Sequence, residues 1–274
     1  MTKRVWMDDR LVPADQATVD VTDRGWLLGH GVFETVRIDG GIPFGLSRHL
    51  QRLRRSAAIA AIDLRWDDDA LHGAVKATTD AAVSDLGVFD GRLRVTVTAG
   101  PEGGSPTLLI TAMVGPLPTG PAAVVLSPWS VNEHGPLVGA KTTSRLDYTL
   151  ALHEARNRGA DEAVLVNTAG HLVEASASNL FLVVAGRLST PALSTGCLPG
   201  VTRDLVMESS EVAERDDLTI DDLRFAPEAF LTSTTRGVQP ISTVDGGPLR
   251  SVPGPLTRSA AVTLDTLRAT NPNP

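Results

Sequence analysis

Apolar and polar residues alternate with the period of a half-buried strand from Val32 to Ile38, and Asp39-Gly40-Gly41 turns this segment back into Ile42-Pro43-Phe44. Val5-Trp-Met and Leu11-Val12, around Asp8-Asp9, read as a short hairpin. The period then changes to that of a helix: Ser47 is expected to cap a helix with the apolar stripe Leu50, Leu53, Ala57 and Ala61. A second helix is expected from about Asp69 to Leu86. The strands Arg92 to Thr98 and Thr107 to Val114 should pair around the Gly/Pro-rich loop Ala99 to Pro106.

Gly115-Pro-Leu-Pro-Thr-Gly-Pro121 has Gly or Pro at five of seven positions and reads as a linker. Beyond it the pattern predicts a strand over Ala122 to Leu126 and a helix over Leu146 to Asn157, ending at Gly159. A hairpin over Glu162 to Glu174 turns at Thr168-Ala-Gly170, and another joins Leu180 to Val184 with Arg187 to Ser189. Gly200 opens a helix running to Met207, Ala229 to Ser233 is a strand, and Leu256 to Leu267 a closing helix. Strands and helices interleave without a regular βαβ rhythm, repeat or low-complexity tract. The expected organisation is a small N-terminal α+β domain over 1–115, an interdomain linker at 116–121, and a larger domain over 122–274.

Composition narrows the function classes. Apolar residues make up 42% and charged residues 21% of the 274, the balance of a soluble globular protein. A net charge of -7, with no long basic run, argues against a nucleic-acid partner. The single Cys197 excludes an intrachain disulfide and a CxxC metal pair, which fits a reducing compartment and no metal site. No apolar run approaches the ~18 residues of a membrane span, and the start lacks the apolar region of a signal peptide. A cytoplasmic protein is expected.

Two residues carry the candidate chemistry. Lys141 stands before a helix and Glu174 on a later strand. Pyridoxal 5'-phosphate (PLP) needs such groups at its opposite ends: an amine to condense with its aldehyde, and a carboxylate to keep the pyridinium nitrogen protonated. Either residue alone also reads as a solvated surface charge. A bound phosphate wants amides at a helix start, hydroxyls and a guanidinium. Val201 and Thr202 after Gly200, the Ser233-Thr234-Thr235 cluster, and Arg52 at the edge of its helix's apolar stripe could supply these. Their ordinary readings are a helix cap, turn chemistry and a solvated arginine.

The series Asp23-Arg-Gly, Gly29-His-Gly-Val-Phe-Glu-Thr35, His49-Leu-Gln-Arg-Leu53, Lys141, Glu174-Ala-Ser-Ala-Ser-Asn-Leu-Phe181, Leu198-Pro-Gly-Val-Thr-Arg-Asp204 and Thr232-Ser-Thr-Thr235 occurs in this order. It resembles the fold-type IV PLP enzymes over about residues 5 to 245. The resemblance implies the two-domain α+β fold of D-amino acid aminotransferases, with a small N-terminal domain and a larger PLP-binding one. It implies a homodimer with its active site near the subunit interface. Lys141 would be the Schiff-base lysine and Glu174 the ring-nitrogen partner. Arg52, Val201, Thr202, Ser233 and Thr234 would hold the phosphate, and Leu198 would pack on the ring face.

Within that family, Arg145, four places after Lys141, and the pair Thr35 and Arg37 resemble the aminodeoxychorismate lyases. The loop Ala99 to Pro106 lacks the Arg-x-His clamp of D-amino acid aminotransferases, although Thr232-Ser-Thr-Thr235 is similar to theirs. Arg94 is a lysine in many lyases and an arginine in branched-chain enzymes. The balance favours a lyase that turns 4-amino-4-deoxychorismate into 4-aminobenzoate and pyruvate, a step of folate biosynthesis. Lys141 would be general base, Lys141 or Thr35 the proton donor, and Arg37, Arg94 and Arg145 the anchors of a dianionic substrate. Glu34 reads as structural and Tyr148 as a helix residue packing inward. A D-amino acid or branched-chain transaminase is the alternative, and a non-catalytic PLP-binding protein a third.

Overall fold

The computed structural model describes residues 3–87 and 89–274. The chain forms two compact units: Met1–Leu117 with Ala140–Ser144 and Asn271–Pro274, and Pro118–Gly139 with Arg145–Thr270. The Lys141 segment thus belongs to the first unit although it follows the linker.

In the first unit the elements are β1 (Arg4–Met7), β2 (Arg10–Pro13), α1 (Arg24–Leu28), β3 (Gly31–Asp39), β4 (Ile42–Pro43), α2 (Leu46–Ile59), α3 (Asp68–Leu86), β5 (Gly91–Thr98) and β6 (Thr107–Met113). Six antiparallel strands lie in the order β2-β1-β6-β5-β3-β4. Alternation gives the sheet two unlike faces. Val32, Val36, Ile38, Leu93, Val95, Val97, Leu108 and Ile110 are almost wholly buried in one core with Leu50, Leu53, Leu71 and Val75 of α2 and α3. The opposite face carries Thr35, Arg37, Arg92, Arg94 and Thr96, all partly exposed.

Ser47 is not the cap of α2. Gly45 takes that place with a left-handed φ of 65°, and Ser47 lies inside the helix. The tail supplies the missing acceptor: Ser47 N donates to Asn273 Oδ1 at 2.9 Å, and Asn273 Nδ2 donates to Ser47 Oγ at 2.7 Å. The Asp23-Arg-Gly motif is a clasp. Buried Asp23 caps α1 through Gly25 N at 2.7 Å and accepts from Thr98 Oγ1 at 2.6 Å. Arg24 reaches the carbonyls of Ala99 and Gly100 at 2.8 and 3.0 Å.

The second unit comprises β7 (Ala122–Leu126), α4 (Leu146–Asn157), β8 (Glu162–Val166), β9 (Leu172–Ala175), β10 (Asn179–Val184), β11 (Arg187–Pro191), α5 (Val201–Ser209), β12 (Ala213–Arg215), α6 (Ile220–Arg224), β13 (Ala229–Ser233), β14 (Gly237–Val244), β15 (Gly247–Pro248) and α7 (Pro255–Thr270). A mixed nine-stranded sheet runs β12-β11-β10-β13-β14-β7-β8-β9, with β15 beside β14. Strand β14 was not legible from periodicity, because Pro240 interrupts a segment that reads as a turn after Arg236-Gly237. It is nevertheless central, pairing β13 on one side and β7 on the other, with a register shift just past Pro240 between Ile241 and Thr243. Among the described residues no helix is long and apolar enough to cross a membrane.

Candidate active site

In the first unit, Lys141 is held by its backbone. Its N–H donates to Ser56 Oγ of α2 at 3.0 Å, and its carbonyl accepts from Phe33 N of β3 at 2.9 Å. Thr143 N donates to Gly31 O at 2.8 Å, so residues 141–143 run antiparallel along the free start of β3. The Lys141 Nζ stands 4.6 Å from the Phe33 ring centroid, and the Arg94 guanidinium carbon 3.7 Å from it. The register sets Thr35 opposite Arg94 on the face that also bears Phe33 and Arg37. Arg37 Nε donates to Asp39 Oδ1 at 2.7 Å, and Arg94 Nε to Thr96 Oγ1 at 3.2 Å. Lys141, Thr35, Arg37 and Arg94 are thus gathered on one surface.

Arg52 is not a solvated arginine. It is 3% exposed, and its Nε and Nη2 donate to the two carboxylate oxygens of Glu34, each at 2.7 Å. His49 Nδ1 adds a third contact to Glu34 at 2.7 Å. Burial alone would raise the Glu34 carboxyl, but Arg52 and His49 outweigh it and hold it at about 2. Burial, together with the charges of Arg52 and Lys141, lowers His49 against the pull of Glu34, so His49 is a neutral donor to the carboxylate. This bidentate pair fixes the guanidinium plane, and Glu34 is structural, as its burial in the sheet core requires.

In the second unit, Glu174 is buried on β9, where its Oε2 accepts from Leu198 N at 3.1 Å and Asn179 Nδ2 at 3.3 Å. Asn179 also donates to Leu198 O at 2.8 Å, so Leu198 positions the carboxylate through its backbone. Tyr148 packs inward from α4. Burial and the charge of the hydrogen-bonded Glu174 carboxylate push its hydroxyl far up, which keeps it a neutral donor. Arg145 lies 4.2 Å over the Tyr148 ring and donates to Ser176 O at 2.6 Å. Asn179 and the Tyr148 contact escaped sequence reasoning, although Asn179 lies inside the quoted Glu174 motif.

The proposed phosphate residues of this unit sit at two element ends. Val201 and Thr202 open α5 after Gly200, and no side chain caps the helix, so Thr202 does not act as a cap. A Cβ at Gly200 would collide with Asn179 Oδ1, which explains the glycine. Ser233 Oγ accepts from Arg236 N at 3.2 Å, so its turn role is realised, while Thr234 follows at the end of β13. Arg236 is itself anchored by buried Glu162 at 3.0 Å.

Each unit, taken by itself, offers groups of the kind that PLP requires. A buried carboxylate held by two donors suits a pyridinium nitrogen, uncapped helix amides beside a glycine suit a phosphate, and a lysine fixed at both backbone ends suits the aldehyde. The buried hydroxyls of Ser178 and Thr232, at adjoining ends of β10 and β13, have no hydrogen-bond partner among the described residues, as a polar ligand site would leave them.

The family model for class IV amino-transferases matches residues 31–244. A D-alanine aminotransferase of Bacillus licheniformis is 31% identical over 95% of both chains. The structure of a branched-chain aminotransferase from Thermoproteus uzoniensis, with norvaline, superposes at a TM-score of 0.88 with 30% identity, over 97% of this chain and 95% of that one. A Legionella pneumophila structure provisionally named a 4-amino-4-deoxychorismate lyase shares the fold, with a TM-score of 0.85, 24% identity and coverage of 92% and 96%. Matched along most of its length by model, sequence and fold, this chain belongs to the class IV amino-transferase family of PLP-dependent enzymes.

Proposed function

We propose that this chain is a cytoplasmic 4-amino-4-deoxychorismate lyase. The observation that supports it most is the sheet face of the first unit, where Arg37 and Arg94 line up with Thr35 beside Lys141. Strand rise separates successive side chains on one face by about 7 Å. Arg37 therefore lies a full row beyond Arg94, measured from Phe33 and Lys141. A simple amino acid carries its carboxylate beside its amine and has no group for that further row. A substrate with a second anionic group does.

In this reading Glu174 keeps the ring nitrogen of PLP protonated, with Leu198 N, Asn179 and Tyr148 holding the carboxylate in place. Arg52, Val201, Thr202, Ser233 and Thr234 hold the phosphate, and Leu198 packs on the ring. Bound PLP supplies an electron sink for the pair released at the carbon bearing the substrate's amine. The Lys141 amine takes the proton from that carbon. As the ring becomes aromatic, the adjacent C–O bond breaks and enolpyruvate leaves with its electron pair. Thr35 or protonated Lys141 returns a proton, giving pyruvate. Arg37, Arg94 and Arg145 anchor the carboxylates.

Incubation with aminodeoxychorismate and no keto acid is expected to yield equal amounts of 4-aminobenzoate and pyruvate. Arg37→Gln should lower kcat/KM for that substrate about tenfold, the scale of one charge-assisted contact. The second reading is transamination, favoured by the aminotransferase names of the relatives. Rapid conversion of the cofactor to its amine form by D-alanine or leucine, with no 4-aminobenzoate from aminodeoxychorismate, would establish it in place of the lyase.

A homodimer is part of the proposal. Helix α1 exposes Trp26, Leu27 and Leu28 at 77%, 59% and 71%, an apolar patch that a monomer would leave wet. Sedimentation at micromolar concentration should give twice the chain mass, and a Trp26→Ser, Leu28→Ser double variant should sediment as a monomer. A native monomer rejects the assembly.

A further inference from the structure

The register of the first-unit sheet sets one more arginine on the face of Lys141. Arg92 of β5 is the direct cross-strand partner of Arg37, one row beyond the Thr35–Arg94 pair. On its other side Arg92 faces Met113 of β6, and Arg94 faces Thr111. Two guanidiniums directly opposite each other repel, and like-charge cross-strand pairs destabilise a sheet. Asp39 accepts from Arg37 Nε at 2.7 Å. The pair sits on a partly exposed surface that ends at Phe33, where Lys141 and Arg94 both approach the ring.

We infer that Arg92 and Arg37 form a second carboxylate subsite, about 7 Å along the strands from Arg94, which selects substrates bearing two carboxylates at opposite ends of a ring-sized body. Arg94 takes the first carboxylate. An anion between Arg37 and Arg92 converts their repulsion into two attractive contacts, and Met113 borders that position with apolar surface. The inference rests on the reading that substrate lies on this face, and deepens it by assigning the discrimination between one and two carboxylates to Arg92.

The test is calorimetric binding of benzoate and terephthalate to the PLP-loaded protein. Neither ligand carries an amine, so the result is independent of which reaction is catalysed: the lyase assay can fail while this selectivity stands, and the reverse. Terephthalate is expected to bind at least about tenfold more tightly than benzoate. Arg92→Met should remove most of that preference by weakening terephthalate far more than benzoate, while Arg92→Lys should keep part of it. The visible spectrum and thermal midpoint of each variant report that it is folded and loaded. A native protein without the preference, a preference that survives Arg92→Met, or equal loss of both ligands overturns the subsite.

Discussion

Lys141→Ala is expected to abolish borohydride fixation of PLP and to cut turnover by at least about a thousandfold, since covalent attachment and proton transfer depend on the same amine. The fold should persist. The contacts that place residue 141 are made by its backbone, with Ser56 Oγ and Phe33 N, and alanine retains both. The alternatives are few, because the chain has only two other lysines, Lys3 and Lys76. Lys76 is an exposed residue of α3 paired with Asp80. Glu174→Gln should separate binding from chemistry. An amide still meets Leu198 N, so PLP stays bound, but it cannot keep the ring nitrogen charged and turnover falls. Peptide mapping after borohydride that finds PLP on Lys3 or Lys76 would remove Lys141 from its role.

Local signals in the sequence located most elements, and long-range ones did not. Helix α4 over Leu146–Asn157 and strands β7 and β13 have the ends that periodicity and turn residues imply. The cap of α2 was misread because its acceptor, Asn273, lies at the far end of the chain. Strand β14 was hidden by Pro240, whose tolerance depends on the adjacent register shift. In the candidate site, residue types pointed to Lys141 and Glu174, but their supports could not be read. Ser56 is remote in sequence from Lys141, and the Tyr148 contact to Glu174 bridges a helix and a strand. The family resemblance made Arg94 a candidate substrate anchor. Only the pairing of β3 with β5 sets Arg92 opposite Arg37, because that opposition is a property of register and not of either strand.

Glu34→Gln should produce the largest loss of stability, about 3 kcal/mol at pH 7, because it leaves the Arg52 guanidinium buried without its counter-charge. The pH dependence identifies the cause. The folded carboxyl lies at about 2, below its ordinary 4.5. Between those values the unfolded chain binds the proton that the folded chain refuses, so stability rises with pH. The contribution of Glu34 is complete above about 4.5 and is lost as pH falls toward 2. Urea unfolding from pH 7 down to pH 2.5 should therefore show a wide gap between native and variant proteins that closes through the acid range. The other lowered carboxyls, Asp20, Glu133, Asp217 and Asp245, are common to both proteins, so they cancel in the difference. PLP affinity should weaken in parallel at pH 7, because Glu34 fixes the plane of Arg52. A gap that stays constant from pH 7 to 2.5 would show that the ionised pair is not what stabilises this core. A gap that closes while PLP affinity is unchanged would keep the pair as structure and take Arg52 out of the phosphate site.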